Sequence, residues 1–215
     1  MTHGVRWLAV TFVFATAGLL GVERAAANPF GPGEPGGSWY ADNDHHTYAF
    51  SNIAPKQRMA ATHGMDQLEL TSMTTKLQQT SNGDTDIVFF DANYVDHWNM
   101  EWDSNPDFNI WAATMCMEFA TGEKCQRFEI RFDIPDMSDI GPEGRLQVGC
   151  HEVGHTVGLG HAGNAAASCT RSADTAHPRF TSHDASHIDE RYGDDGFECT
   201  CGAKDISIYD IHPPV

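Results

Sequence analysis

The run His151-Glu152-Val153-Gly154-His155-Thr156-Val157-Gly158-Leu159-Gly160-His161 decides how this chain is read. It spells H-E-x-x-H-x-x-G-x-x-H without a gap. On a helix, His151 and His155 lie one turn apart on the same face, so both imidazoles can reach one metal ion. Glu152 points about 100° round the axis, beside such an ion rather than on it, where a base that takes a proton from water belongs. A helix running straight on would carry His161 away. Gly158 tolerates positive φ, so the chain can stop there and double back to deliver His161 as third ligand. Three imidazoles with one open coordination position, plus a non-ligating carboxylate, predict a site for one catalytic Zn2+. The chain has 12 histidines, so a bare H-E-x-x-H has some chance of arising by accident. A core histidine explains one imidazole, however, not three in register with a glutamate and a glycine.

The flanks predict a helix that fits the motif. Gly141-Pro142-Glu143 reads as its start, with proline at the first helical position and a carboxylate in the positive first turn. Leu146, Cys150, Val153 and Val157 then form an apolar stripe that can face a core while the histidines face a cleft.

Arg6 precedes an apolar run from Trp7 to Val22, and Ala25-Ala26-Ala27 follows. A basic start, a short apolar stretch and an A-x-A site describe a secretory leader over 1–27. The run is shorter than the about 20 residues that cross a bilayer. Residues 28–215 are the size of one domain with a sizeable core and are expected to form a single catalytic domain. The formal charge is −17, from 13 basic and 30 acidic residues, which argues against nucleic acid or an anionic membrane as partner.

The six cysteines (Cys116, Cys125, Cys150, Cys169, Cys199 and Cys201) are an even set in what the leader makes an oxidising compartment, so disulfides are expected. Cys116–Cys125, closing a short hairpin, and Cys150–Cys169, tying the motif helix to the segment after His161, are the expected pairs. The partners of Cys199 and Cys201 stay open.

A coarse pass along the chain predicts an α+β domain. A first strand falls within 39–50. A helix is expected from Pro55 to about Gln79, with Leu70, Met73 and Leu77 at helical spacing. Ile87-Val88-Phe89-Phe90 reads as a buried strand, and Phe128, Ile130 and Phe132 alternate with charged residues as a half-buried one. The last helix is expected over Ser182 to Tyr192. The oxygen-rich stretches Asp42-Asn43-Asp44, Ser81–Asp86 and Asp194-Asp195-Gly196 are candidate Ca2+ turns, none matching an EF-hand loop. His45, His46, His177, His183 and His187 are candidates for a second metal site, weighed against ordinary surface histidines.

The eleven-residue motif resembles that of the metzincin clan of zinc endopeptidases, and the layout is most similar to its matrixin-type and small bacterial secreted members. Ser182 to Gly193, which carries acidic residues and closes on Tyr192-Gly193, resembles the terminal helix of matrixins. The resemblance implies a zincin-like domain. It would have a twisted, mostly parallel sheet with an antiparallel edge strand, an active-site helix and a C-terminal helix. His151, His155 and His161 would be the zinc ligands and Glu152 the general base of peptide hydrolysis. One departure stands out. The clan carries a methionine in a tight turn below the metal, and this chain has none after Met137; Cys169 or Thr170 falls at that position. A tyrosine ligand found in some members is not expected, since Ser172 stands near its place. The expected partner is a peptide or protein substrate, with no nucleic acid, no membrane once the leader is gone, and the chain acting as a monomer. The rival readings are a non-catalytic zinc-stabilised binding protein and a zinc hydrolase of small or cell-wall peptides.

Overall fold

The structure, a computed structural model, describes residues 27–29, 39–102, 110–162, 167–172 and 176–193. In chain order its elements are β1 (Ala27–Pro29), β2 (Tyr40–Ala41), β3 (His45–Ser51), α1 (Pro55–Leu68), β4 (Thr74–Leu77), β5 (Ile87–Ala92), β6 (Asp96–His97), β7 (Met100–Glu101), β8 (Ala112–Phe119), β9 (Lys124–Asp133), α2 (Ile134–Ser138), α3 (Pro142–Thr156), β10 (Leu159–Ala162) and α4 (Ser182–Tyr192). The class is α+β. Strands run in the order β2-β9-β5-β3-β4, each pairing parallel, and β8 adds to β9 antiparallel.

The sheet follows from the pattern of side chains. In β9, Phe128, Ile130 and Phe132 are buried while Arg127, Glu129 and Arg131 are only partly covered, the period of two read in the sequence. Ile87, Val88 and Phe89 of β5 are all buried, as a strand between two neighbours requires. Phe89 stacks on Phe132 at 6.2 Å, with Tyr48 edge-on to Phe89. The strand expected within 39–50 is present as β2 and β3. The turn between them is held by the Asn43 side-chain oxygen, which accepts from the His45 N–H at 2.8 Å.

The first helix is shorter than its periodicity suggests. It ends at Leu68, the Thr71 hydroxyl donates to the Leu68 carbonyl, and Thr74–Leu77 leaves to pair with β3. Met73 is buried, but Leu70 and Leu77 are 59% and 54% exposed. The apolar spacing imitated a helix, while the β-branched Thr71, Thr74 and Thr75 favour the extended chain.

Two helices carry the site's frame. Both α1 and α3 have proline in the first turn, where its missing N–H costs nothing. They cross at Gly64 and Gly149: a Cβ on Gly149 would lie inside 3.0 Å of the Ala60 carbonyl, and one on Gly64 inside 3.0 Å of the Gly149 carbonyl. Backbone therefore meets backbone. Ala60, Ala61, Met65 and Leu68 of α1 share one core with Val148 and Val153 of α3, with Val157 just after it, and with the sheet's phenylalanines. Of the predicted stripe on α3, Cys150, Val153 and Val157 are fully buried and Leu146 partly so.

Among the described residues no helix is long and apolar enough to cross a membrane. Two disulfides are formed, Cys116–Cys125 between β8 and β9 and Cys150–Cys169 from α3 to the segment after β10, as expected. Such bonds fit an extracellular protein. The expected leader, save Ala27 at the start of β1, lies outside the described residues, as do Cys199, Cys201 and the Asp194-Asp195-Gly196 stretch. The backbone of β1 pairs antiparallel with β10, Ala27 opposite Ala162.

Candidate metal centre

Helix α3 starts with Gly141 as its cap and Pro142 at its first position, and it ends at Thr156. Gly158 has φ of 88°, so the chain turns there and enters β10 with His161 on it. The result gathers the three histidines. One ligand atom from each of His151, His155 and His161 lies within 4.8 Å of the others, and the ring centroids stand 4.6, 5.0 and 5.0 Å apart. Among the described residues this is the group of three or more ligand side chains that could hold a metal ion.

The surroundings set the chemistry of the rings. The Nδ1–H of His151 donates to the Cys169 carbonyl at 3.1 Å, and that of His155 to the Leu159 carbonyl at 2.7 Å. A carbonyl only accepts, so these bonds place the protons on Nδ1 and leave the Nε2 lone pairs for a metal. Burial, then the neighbouring imidazoles, pushes the His151 pKa well below its ordinary 6.5, and the same causes bring His155 to about 4. His151 and His155 are thus neutral near pH 7, the form that coordinates. The donor set fits a Zn2+-class ion: nitrogen ligands, each of two fixed by a carbonyl behind it.

Glu152 follows His151 on α3 and is buried beside the triad. It is 5% exposed, and its Oε2 accepts from the Thr114 hydroxyl at 2.7 Å. Burial raises its pKa to about 7, with the Thr114 bond pulling the other way. A dication in the triad would draw it down again. Two hollows open on this carboxylate and on His151 and His161. One, of about 540 Å³, runs along Ala112 to Met115 of β8, and one of about 200 Å³ lies between Trp111, Val148, Arg171 and Ser172.

The segment Ser168–Arg171 packs against α3 beside His151 and buries the hydroxyls of Ser168 and Thr170. Thr170 is fully buried. Its methyl and the Phe180 ring press on the backbone of Gly154, where an added Cβ would come within 3.1 Å of each. Its hydroxyl meets Ser168 Oγ at 2.9 Å, and Ser168 donates to Asp184 of α4 at 2.7 Å. This buried hydroxyl therefore has a partner. Asp184 also accepts from the Thr181 N–H, forming the capping box that starts α4. The Cys150–Cys169 bond ties this segment to α3 beside His151. Replacing both cysteines by alanine is expected to cost about 2–4 kcal/mol in denaturant unfolding and to weaken metal uptake, because the Cys169 carbonyl then holds His151 less firmly.

The structure brings the three predicted histidines together with Glu152 nearby, and Thr114, whose place depends on strand register, has no local motif in the sequence. The same holds for the two carbonyls that fix the tautomers. His46 and the Ser81–Asp86 turn have other partners. His46 is buried against Thr156, its Nε2 3.1 Å from the Thr156 hydroxyl. Asp86 Oδ2 accepts from the N–H and hydroxyl of Thr47, and Asn82 Oδ1 from the Asp84 N–H, so those turn oxygens serve the backbone.

These buried histidines predict how the metal-free protein responds to acid. His46 is lowered to about 4 by burial, alongside His155 and His151. Between pH 6.5 and about 4 the unfolded chain binds protons that the folded chain refuses, so stability is lost as pH falls through that range. Glu152 acts in the opposite sense: its stabilisation is present at low pH and lost as pH rises towards 7. Asp66, Asp86 and Glu129, raised by burial, act in the same sense as Glu152 but start from the ordinary carboxylate range, so the histidines dominate at the upper end of the window. Thermal unfolding of the metal-free chain should show a melting temperature that drops on acidification from 6.5, and a flat profile would refute this reading.

No protein-family model and no curated protein matches this chain.

Proposed function

We propose that this chain is a secreted zinc endopeptidase of the metzincin clan, hydrolysing peptide bonds with Glu152 as general base. The observation that carries this reading is the place of Glu152. It is a buried, non-ligating carboxylate, oriented by Thr114, beside three convergent imidazoles and open to a cleft. A structural metal site has no use for such a group. His151, His155 and His161 would hold the zinc, whose chemistry when bound is Lewis acidity towards a water and an acyl carbonyl. Glu152 takes the proton as that water attacks, then returns it to the leaving amine. Thr114 keeps the carboxylate turned to the cleft through both transfers.

The substrate reading rests on β8. It pairs with β9 along one edge, lines the larger hollow, and has no strand partner on its other edge among the described residues. An extended peptide can add there as a strand, with backbone hydrogen bonds supplying much of the binding. The leader and the disulfides support secretion. Chelating the purified protein and restoring it with one equivalent of Zn2+ tests the reading. Peptide cleavage should stop and return; cleavage that survives complete metal removal would defeat it.

A further inference from the structure

A second pair of imidazoles stands on α4. His183 and His187 are one turn apart, with ring centroids 4.3 Å and Nε2 atoms 3.2 Å from each other. Two imidazole nitrogens bound to one dication at about 2.0–2.1 Å are about 2.9 Å apart at a right angle and about 3.4 Å at a tetrahedral one. The pair therefore already has the bite of a chelate. Both rings reach solvent, and a single hydrogen bond between them adds little there over what water offers.

The helix fixes this geometry. The capping box of Thr181 and Asp184 holds the first turn, on which His183 sits. One turn beyond His187, a Glu190 carboxylate oxygen lies 3.6 Å from the His187 Nδ1. At that distance the carboxylate is no hydrogen-bond partner of the ring, but it sets a negative charge beside the pair, which favours a bound dication.

We propose that His183 and His187 form a second transition-metal site on the surface of α4, separate from the triad. Two imidazoles favour ions of the Zn2+, Ni2+ and Cu2+ group over Ca2+ and Mg2+. With two protein ligands and water in the other positions, the site binds more weakly than the triad. Its occupation has a structural consequence. An ion joining residues 183 and 187 clamps two turns of the helix whose Asp184 accepts from Ser168, in the segment beside His151. This site does not rest on the proteolytic reading.

Calorimetric titration of the full mature chain with Zn2+ tests it, with Ca2+ as the control. The parent should take up two zinc ions, one tight and one weaker, and Ca2+ should leave the weaker step intact. A chain carrying His183→Asn and His187→Asn, both on the surface, should keep the tight ion and lose the weaker one. Loading the second ion should raise the melting temperature of the parent and not of the double variant. A parent that binds one zinc only, or a double variant that keeps the second, overturns the proposal.

Discussion

Glu152→Ala is expected to lower peptide hydrolysis by about 10²–10⁴-fold while leaving the metal count unchanged. The carboxylate binds no metal in this reading, so its loss removes the proton carrier and spares the three imidazoles. Its hydrogen-bonding partner is the Thr114 hydroxyl, which also lies 3.0 Å from the backbone carbonyl of the same glutamate. Thr114 therefore keeps a partner when the carboxylate goes, and the fold should hold. Steady-state hydrolysis and zinc analysis on the same two samples check both halves. Loss of the metal along with the activity would mean that Glu152 holds the site together rather than acting on substrate.

Gly149→Ala is expected to cost about 3 kcal/mol or more, although it adds one methyl group to a helix. Alanine favours a helix over glycine by up to about 1 kcal/mol, so propensity alone predicts stabilisation. Contact overrides it. The new Cβ would meet the Ala60 carbonyl of α1, which is backbone and cannot rotate away, so one helix must move. Gly149 lies two residues before His151, so the shift also disturbs the triad. Denaturant unfolding should show the lower midpoint, and zinc affinity should fall with it. An unchanged midpoint would show that α1 and α3 do not cross so closely.

The site was more legible than the frame that holds it. Three histidines, a glutamate and a glycine within eleven residues are local, so spacing alone predicts a one-turn pair, a turn at Gly158 and a returning ligand. The end of α1 was hidden because Leu70, Met73 and Leu77 carry helical spacing by coincidence, while pairing with β3 decides their conformation. Thr114 was hidden for a similar reason. It faces Glu152 only because β8 lies antiparallel to β9 in one register, with Thr114 opposite Ile130. The glycine pair, Gly64 and Gly149, is far apart in sequence and silent until two helices cross. That the Thr170 hydroxyl meets Ser168 could be seen only in three dimensions.

Digestion of a mixed peptide library by the purified mature chain, loaded with one zinc and followed by mass spectrometry, bears most directly on the central claim. Cuts at internal bonds of extended peptides are predicted, absent from the Glu152→Ala sample at equal zinc. One zinc held by the parent with no bond cut in any peptide would contradict the claim and leave a zinc-stabilised binding protein in its place.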